Sequence, residues 1–103
     1  MSSPEDPQNP ITAVPGQLQP DVDPARLRPG RSDLIQSRLE FQRNLIRRNQ
    51  SRYTPIQVSR DGVIIDGHHY VRAAAEEGRV VEVFVSSLFA VARADSILRL
   101  PLR

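Results

Sequence analysis

Four consecutive residues, Asp66-Gly67-His68-His69, combine groups that could bind and process a phosphate. An apolar run at 63–65 precedes them and an alanine-rich segment follows, so they lie where a strand ends and a helix begins. The free N–H groups and dipole of a helix N-terminus favour an anion, and a glycine lets it approach the backbone. Imidazole titrates near neutrality, so the two histidines could exchange protons with an attacking or leaving oxygen.

Other roles are open to each of these residues. Asp66 could orient an imidazole, hold a divalent ion or, most simply, cap the helix. Arg72 lies one turn into the helix, on the same side as the histidines, and could grip a phosphate or pair with Glu76 at i, i+4. Adjacent histidines diverge by ~100° on a helix, so no metal site is assigned. The predicted catalytic residues are Asp66, His68 and His69, and the predicted phosphate ligands are Gly67, His68, His69 and Arg72.

The elements around this junction follow from local patterns. Asp61-Gly62 stands between two β-branched runs, at 56–59 and 63–65, which indicates a β-hairpin. A helix is predicted from Gly67 to a stop at Gly78, followed by a buried strand over 80–85. We expect the strand at 63–65 to pair in parallel with residues 81–85 through a right-handed crossover.

A longer helix is predicted upstream, over residues 33–49, with Asp33 as its N-cap and Gln36 as the N3 partner. Its arginines form either a solvated face or a contact surface for nucleic-acid phosphates. A short helix at 88–93 and an apolar tail at 97–100 complete the elements. The predicted fold is a small mixed α/β domain.

Prolines and charged residues are distributed unevenly along the chain. Seven of the nine prolines fall within residues 1–29, so residues 1–30 are predicted to be a proline-rich tail or linker, ahead of a domain over 31–103. That domain carries twelve arginines against eight acidic residues, and the chain has no lysine. It also has no cysteine, which excludes disulfides, thiolate metal sites and cysteine catalysis.

No apolar run approaches the ~18 residues of a membrane span, and the N-terminus lacks the pattern of a signal peptide. The sequence therefore predicts a soluble protein. We expect it to be cytoplasmic, or secreted through a larger delivery protein.

The motif from residue 53 to 86 resembles the ParB/sulfiredoxin superfamily. The shared features are a strand, a glycine, a second strand, D-G-H-H, an alanine-rich helix, a glycine and a last strand. Sulfiredoxin chemistry is excluded because it needs a cysteine. Chromosome-partition members usually have G-E-R-R where His68 and His69 stand, and the D-G-H-H variant usually continues with arginine where this chain has Tyr70.

The resemblance implies a small mixed-sheet fold whose glycine-led junction grips phosphates. The expected function is a nucleotide or nucleic-acid phosphate-binding enzyme of the nuclease or NTPase type. The proline-rich segment ahead of a basic domain also resembles bacterial toxin effectors, which implies a cognate immunity protein as partner. The cofactor is left open, with a nucleotide and Mg²⁺ as one option. The alternatives are a non-catalytic nucleotide or DNA-binding module and a protein-interaction domain with structural histidines.

Overall fold

A mixed five-stranded sheet and two helices make up the domain. The computed structural model describes residues 9–50 and 55–103. Short 3-10 helices cover Pro24–Arg26 and Ile97–Arg99. The other elements are β1 (Leu18–Val22), β2 (Arg28–Pro29), α1 (Gln36–Arg47), β3 (Ile56–Val58), β4 (Val63–Asp66), α2 (His68–Glu76) and β5 (Val81–Val85). The predicted mixed α/β fold class is confirmed.

The hairpin that leads to the junction forms as predicted. Strands β3 and β4 pair antiparallel, with Val58 opposite Ile64. The turn between them is closed by the N–H of Gly62, which donates to the carbonyl of Ser59 at 3.0 Å. Gly62 has φ +79°, a conformation that a side chain rarely adopts. The Asp-Gly pattern therefore predicted both strands and the turn.

The sheet order is β1-β5-β3-β4-β2, which differs from the predicted pairing. Strand β5 lies parallel to β3, with Ile56 opposite Val83, and does not pair with β4. The other edge of β4 is occupied by β2, with Arg28 opposite Val63. The predicted pairing of 63–65 with 81–85 is wrong because a strand from the N-terminal segment takes that place.

Residues 9–30 are part of the domain, so the predicted tail over 1–30 is wrong for them. Strand β1 pairs antiparallel with β5, and Val22 and Leu27 are buried. The prolines do not prevent this, because Pro24 begins a 3-10 helix and Pro29 lies in an edge strand. At these positions a missing N–H costs little. Residues 1–8 lie outside the described residues.

Helix α1 begins at Gln36, three residues later than predicted, and ends near the predicted stop. Asp33 is not its N-cap, since Ile35 occupies that position and makes no side-chain cap. The preceding residues are extended because Leu34 forms a parallel bridge to Leu102. Asp33 pairs instead with Arg31 and with Arg103, at 3.7 and 3.0 Å.

The two helices run side by side in the same direction. Arg43 of α1 reaches Glu76 of α2 at 2.7 Å, and Arg47 reaches Glu77 at 3.4 Å. One core joins the helices to the sheet through buried residues that include Leu39, Val71 and Val83. The N-terminus of α2 is thereby brought beside the start of α1.

The segment after β5 differs from its prediction. Residues 88–93 form no helix, and the only helical turn there is the 3-10 helix over Ile97–Arg99. Ile97 and Leu100 are buried, which fixes the apolar tail against the core. Across residues 9–50 and 55–103, no helix is long and apolar enough to cross a membrane.

Candidate anion-binding site

The junction between β4 and α2 is built on Gly67. Its φ of +100° lies in the left-handed region, where glycine pays no steric penalty, and it occupies the N-cap position of α2. Asp66 is therefore not the N-cap, and this part of its prediction is wrong. The carboxylate of Asp66 is exposed and lines a cavity beside the helix. Helix α2 accordingly begins with no side-chain oxygen over its first turn.

His68 is a buried histidine that connects the residue after β2 to β4. Its Nε2 accepts a hydrogen bond from the N–H of Gly30 at 3.0 Å, and its ring donates to the carbonyl of Ile64. Burial, followed by the charge of Arg31, lowers the pKa of His68 to about 4. The ring is therefore neutral at pH 7. Because both nitrogens bind the backbone, the predicted catalytic and phosphate-binding roles of His68 give way to a structural one.

Gly30 makes this arrangement sterically feasible. A Cβ at Gly30 would lie 2.6 Å from the carbonyl oxygen of Ile64, well inside van der Waals contact. The nearest imidazole atom, Nε2 of His68, would lie 3.7 Å away. The close approach of the chain after β2 to β4 therefore requires glycine, and His68 secures that contact.

His69 has a different environment, although it is the next residue. Its Nε2 accepts from the N–H of Ile35 at 3.0 Å, which links the start of α2 to the start of α1. Partial burial, then the charges of Arg31 and Arg38, lower the pKa of His69. The neutral ring carries its proton on Nδ1, which has no partner in the described part of the chain. His69 lines the cavity as a hydrogen-bond donor.

Arg72, a predicted phosphate ligand, does not line the cavity, and its guanidinium binds protein groups instead. Its Nε pairs with Glu76 at 2.7 Å, which is the alternative that the i, i+4 spacing offered. Its Nη1 donates to the carbonyls of Ile97 and Leu100 at 3.2 and 2.9 Å. Partial burial acts to raise the pKa of Glu76, but hydrogen bonds from Arg72 and Arg43 hold it below its usual value. Arg72 anchors the C-terminal segment to α2.

The cavity lies between the N-terminal turns of α1 and α2 and has a volume of about 500 Å³. The lining carries two guanidinium groups and one carboxylate, together with two aromatic rings. Its residues are Arg31, Ser37, Arg38, Phe41, Gln42, Asp66, Gly67, His68, His69 and Tyr70. The lining therefore includes all three predicted catalytic residues and every predicted phosphate ligand except Arg72, although the ring of His68 is engaged by the backbone.

Arg31 and Arg38 were not predicted as site residues. Arg38 belongs to the first turn of α1, where sequence periodicity assigns arginines to a solvated face. No carboxylate among residues 9–50 and 55–103 pairs with Arg38, whereas Arg31 lies 3.7 Å from Asp33. The position of Arg38 in the sequence could have indicated this placement. Arg38 is next to the buried Leu39 and two helical turns before Leu45 and Ile46, so it lies beside the apolar face of α1. Its proximity to α2 depends on the parallel packing of the helices.

Hydrogen-bond donors converge on this cavity. The first intrahelical bond of α2 runs from the N–H of Val71 to the carbonyl of Gly67. The N–H groups of the first helical turn, at His68, His69 and Tyr70, have no acceptor within the described ranges. Nδ1 of His69 and the guanidinium of Arg38 add side-chain donors. Such a set favours an anion with several oxygens, because charged and backbone donors bind oxyanions strongly.

The described residues contain no group of three or more His, Cys, Asp or Glu side chains that could hold a metal ion. Comparisons of the chain with protein-family models, with curated proteins and with solved structures found no match. The resemblance to the ParB/sulfiredoxin superfamily stays a prediction carried by the motif. The site is therefore defined by its own geometry: donors at the start of α2, a guanidinium from α1 and an aromatic wall.

Proposed function

We propose that this cavity binds the phosphate of a nucleotide or of nucleic acid. The observation that carries the proposal is the position of Arg38. Its guanidinium lines the cavity without an acidic partner in the described residues, opposite a helix start whose N–H groups have no acceptor. An unneutralised cation and free N–H groups facing one cavity are what a phosphate requires.

The size and walls of the cavity favour a nucleotide over a bare anion. Its volume of about 500 Å³ falls within the ~300–1,000 Å³ of small-molecule sites. Phe41 is 61% exposed although it lines the cavity, and Tyr70 lies on the opposite helix. An exposed aromatic face beside a phosphate site can stack on a base. We therefore expect both parts of a nucleotide to make contacts.

Calorimetry with a nucleoside 5′-monophosphate and with its parent nucleoside tests this function. We expect the monophosphate to bind and the nucleoside to bind at least about tenfold more weakly, because charge-assisted hydrogen bonds contribute ~1.5–3 kcal/mol. The affinity for the monophosphate should fall as salt rises. Equal affinity for the two ligands would mean that the cavity does not recognise phosphate.

Cleavage of a phosphate ester or anhydride is the second candidate function, and Asp66 is the residue that favours it. The histidines do not serve as general bases in this geometry, because Nε2 of each accepts a backbone hydrogen bond. The carboxylate of Asp66 lines the same cavity and is exposed. Mg²⁺ is commonly held by one or two carboxylates together with substrate phosphates, so a metal–nucleotide complex fits this donor set.

If the protein cleaves nucleotides or nucleic acid, Asp66→Asn is expected to reduce the rate at least a hundredfold, as is typical of losing a positioned acid–base or metal-binding group. The assay is turnover of nucleoside triphosphates, DNA and RNA in the presence of Mg²⁺. Asp95→Asn, an exposed aspartate outside the cavity, is the matched control. Full activity in the Asp66 variant would show that Asp66 does not carry out cleavage at this site.

A further inference from the structure

A second, smaller cavity lies at the other end of the two helices. Its volume is about 180 Å³, and its lining residues are Ile46, Asn49, Gln50, Tyr70, Arg79 and Val80. Tyr70 lines this cavity and the anion-binding cavity alike. The two cavities are therefore neighbours along the groove between α1 and α2, with the tyrosine between them.

Arg79 is a second arginine in this groove whose charge is not paired with a described carboxylate. Its Nη1 donates to Oδ1 of Asn49 at 2.8 Å, and Asn49 is neutral. No carboxylate in the described ranges pairs with Arg79. Each cavity thus has one arginine with no acidic partner among residues 9–50 and 55–103, Arg38 at the start of α1 and Arg79 beyond its end. A ligand that fills both would need negative charge at two separated points.

The length of α1 gives the scale of that separation, because Arg38 lies in its first turn and Arg79 contacts Asn49 beyond its end. The helix has 12 residues, which corresponds to about 18 Å at ~1.5 Å per residue. Nucleotides follow one another at ~3.4 Å in a fully stacked strand and lie farther apart where their bases stack on aromatic side chains, so this length corresponds to at most about five of them. A triphosphate chain is too short to span the helix, whereas an oligonucleotide presents phosphates over the whole distance.

We propose that the two cavities form one groove for a single-stranded oligonucleotide, with one phosphate at the start of α2 and a later phosphate at Arg79. This inference rests on the proposed function. The aromatic side chains favour a single strand, because Phe41 and Tyr70 lie between the two arginines and can stack only on bases that are not paired. In a duplex the base faces are covered by their neighbours.

Fluorescence anisotropy with a labelled hexanucleotide, together with calorimetry of a nucleoside monophosphate, tests the groove. Arg79→Gln is expected to weaken hexanucleotide binding about tenfold, the loss of one charge-assisted contact, and to change monophosphate binding less than about twofold. Arg38→Gln should weaken both ligands. Arg99→Gln, an exposed arginine that lines neither cavity, is the matched control and should change neither.

Three results would overturn the groove while leaving the proposed function intact. The first is hexanucleotide binding that Arg79→Gln does not change, although Arg38→Gln weakens the monophosphate. The second is that Arg79→Gln weakens the binding of inorganic tripolyphosphate as much as that of the hexanucleotide, which would mean that Arg79 binds a short phosphate chain. The third is tighter binding of the duplex form of the hexanucleotide. Failure of the proposed function is distinct, since the wild-type protein would then bind no monophosphate.

Discussion

Arg38→Gln is expected to weaken the binding of a nucleoside monophosphate about tenfold without lowering Tm. Glutamine keeps an uncharged amide donor on a shorter side chain, and a hydrogen bond to a charged group contributes ~1.5–3 kcal/mol. Stability should not change, because Arg38 is exposed and forms no ion pair with the described residues. Calorimetric titration measures the affinity, and a thermal melt of each protein measures Tm.

Arg48→Gln is the control for that experiment. Arg48 follows α1 directly, is exposed and lines neither cavity, so its replacement changes the net charge by the same amount. We expect its affinity to stay within about twofold of the wild type, since only distant screened charge is lost. Equal weakening by both variants would show a general electrostatic attraction and no phosphate site at Arg38.

His68→Ala is expected to lower the free energy of unfolding by about 2–3 kcal/mol, the larger effect on stability of the two histidine replacements. The N–H of Gly30 and the carbonyl of Ile64 would lose a partner in a buried place, and each unsatisfied group costs ~1–3 kcal/mol. His69→Ala should cost about 1 kcal/mol, because its ring is partly exposed and makes one backbone bond. Urea denaturation measures both.

The same histidine predicts a pH dependence of stability. The pKa of His68 is about 4 in the folded protein and about 6.5 in the unfolded chain, so the unfolded chain binds the proton first. Stability should therefore be fully present above pH 6.5 and fall as the pH is lowered toward 4. His69 contributes in the same direction, since its pKa is also lowered.

His68→Gln separates this effect from a failure to fold, because its amide can keep part of the hydrogen bonding. We expect the fall in stability between pH 6.5 and 4 to be smaller in this variant than in the wild type. An equal fall in both proteins would show that His68 does not provide the pH dependence, and the structural role assigned to it would be wrong.

Local sequence signals predicted the elements that carry the site. Asp61-Gly62 predicted the position of the hairpin, the alanines predicted α2, and Gly67 predicted the junction between them. These features depend on residues within one or two turns of each other, where propensity and turn chemistry decide the conformation. The sequence alone therefore predicted which residues form the junction at the start of α2.

Partners distant in the chain could not be predicted in the same way. Arg38 reaches the site because α1 packs parallel to α2, and Gly30 meets His68 because residues 9–30 complete the sheet. The proline content of that segment indicated a tail, yet Pro24 begins a 3-10 helix, and Pro20 and Pro29 lie in edge strands. The structure also gives His68 and Arg72 contacts that differ from their predicted roles. Each binds a segment whose position in the fold could not be derived from sequence periodicity.

The contrast between the two adjacent histidines has a consequence for mechanism. Both residues line the cavity, but consecutive helix residues point about 100° apart, so the ring of His68 is buried whereas that of His69 is only partly buried. His68 supports the junction, and His69 offers one donor beside Arg38. Under the proposed function, phosphate recognition therefore falls to Arg38, His69 and the first turn of α2, and any cleavage step falls to Asp66.

The most direct test of the phosphate site is a ¹⁵N NMR titration of the protein with a nucleoside monophosphate. If phosphate binds at the start of α2, the His68, His69 and Tyr70 amides should shift saturably with one dissociation constant, and this constant should be about tenfold larger in Arg38→Gln. Unchanged amides at the start of α2, with shifts confined to another surface such as residues 88–91, would contradict the phosphate site.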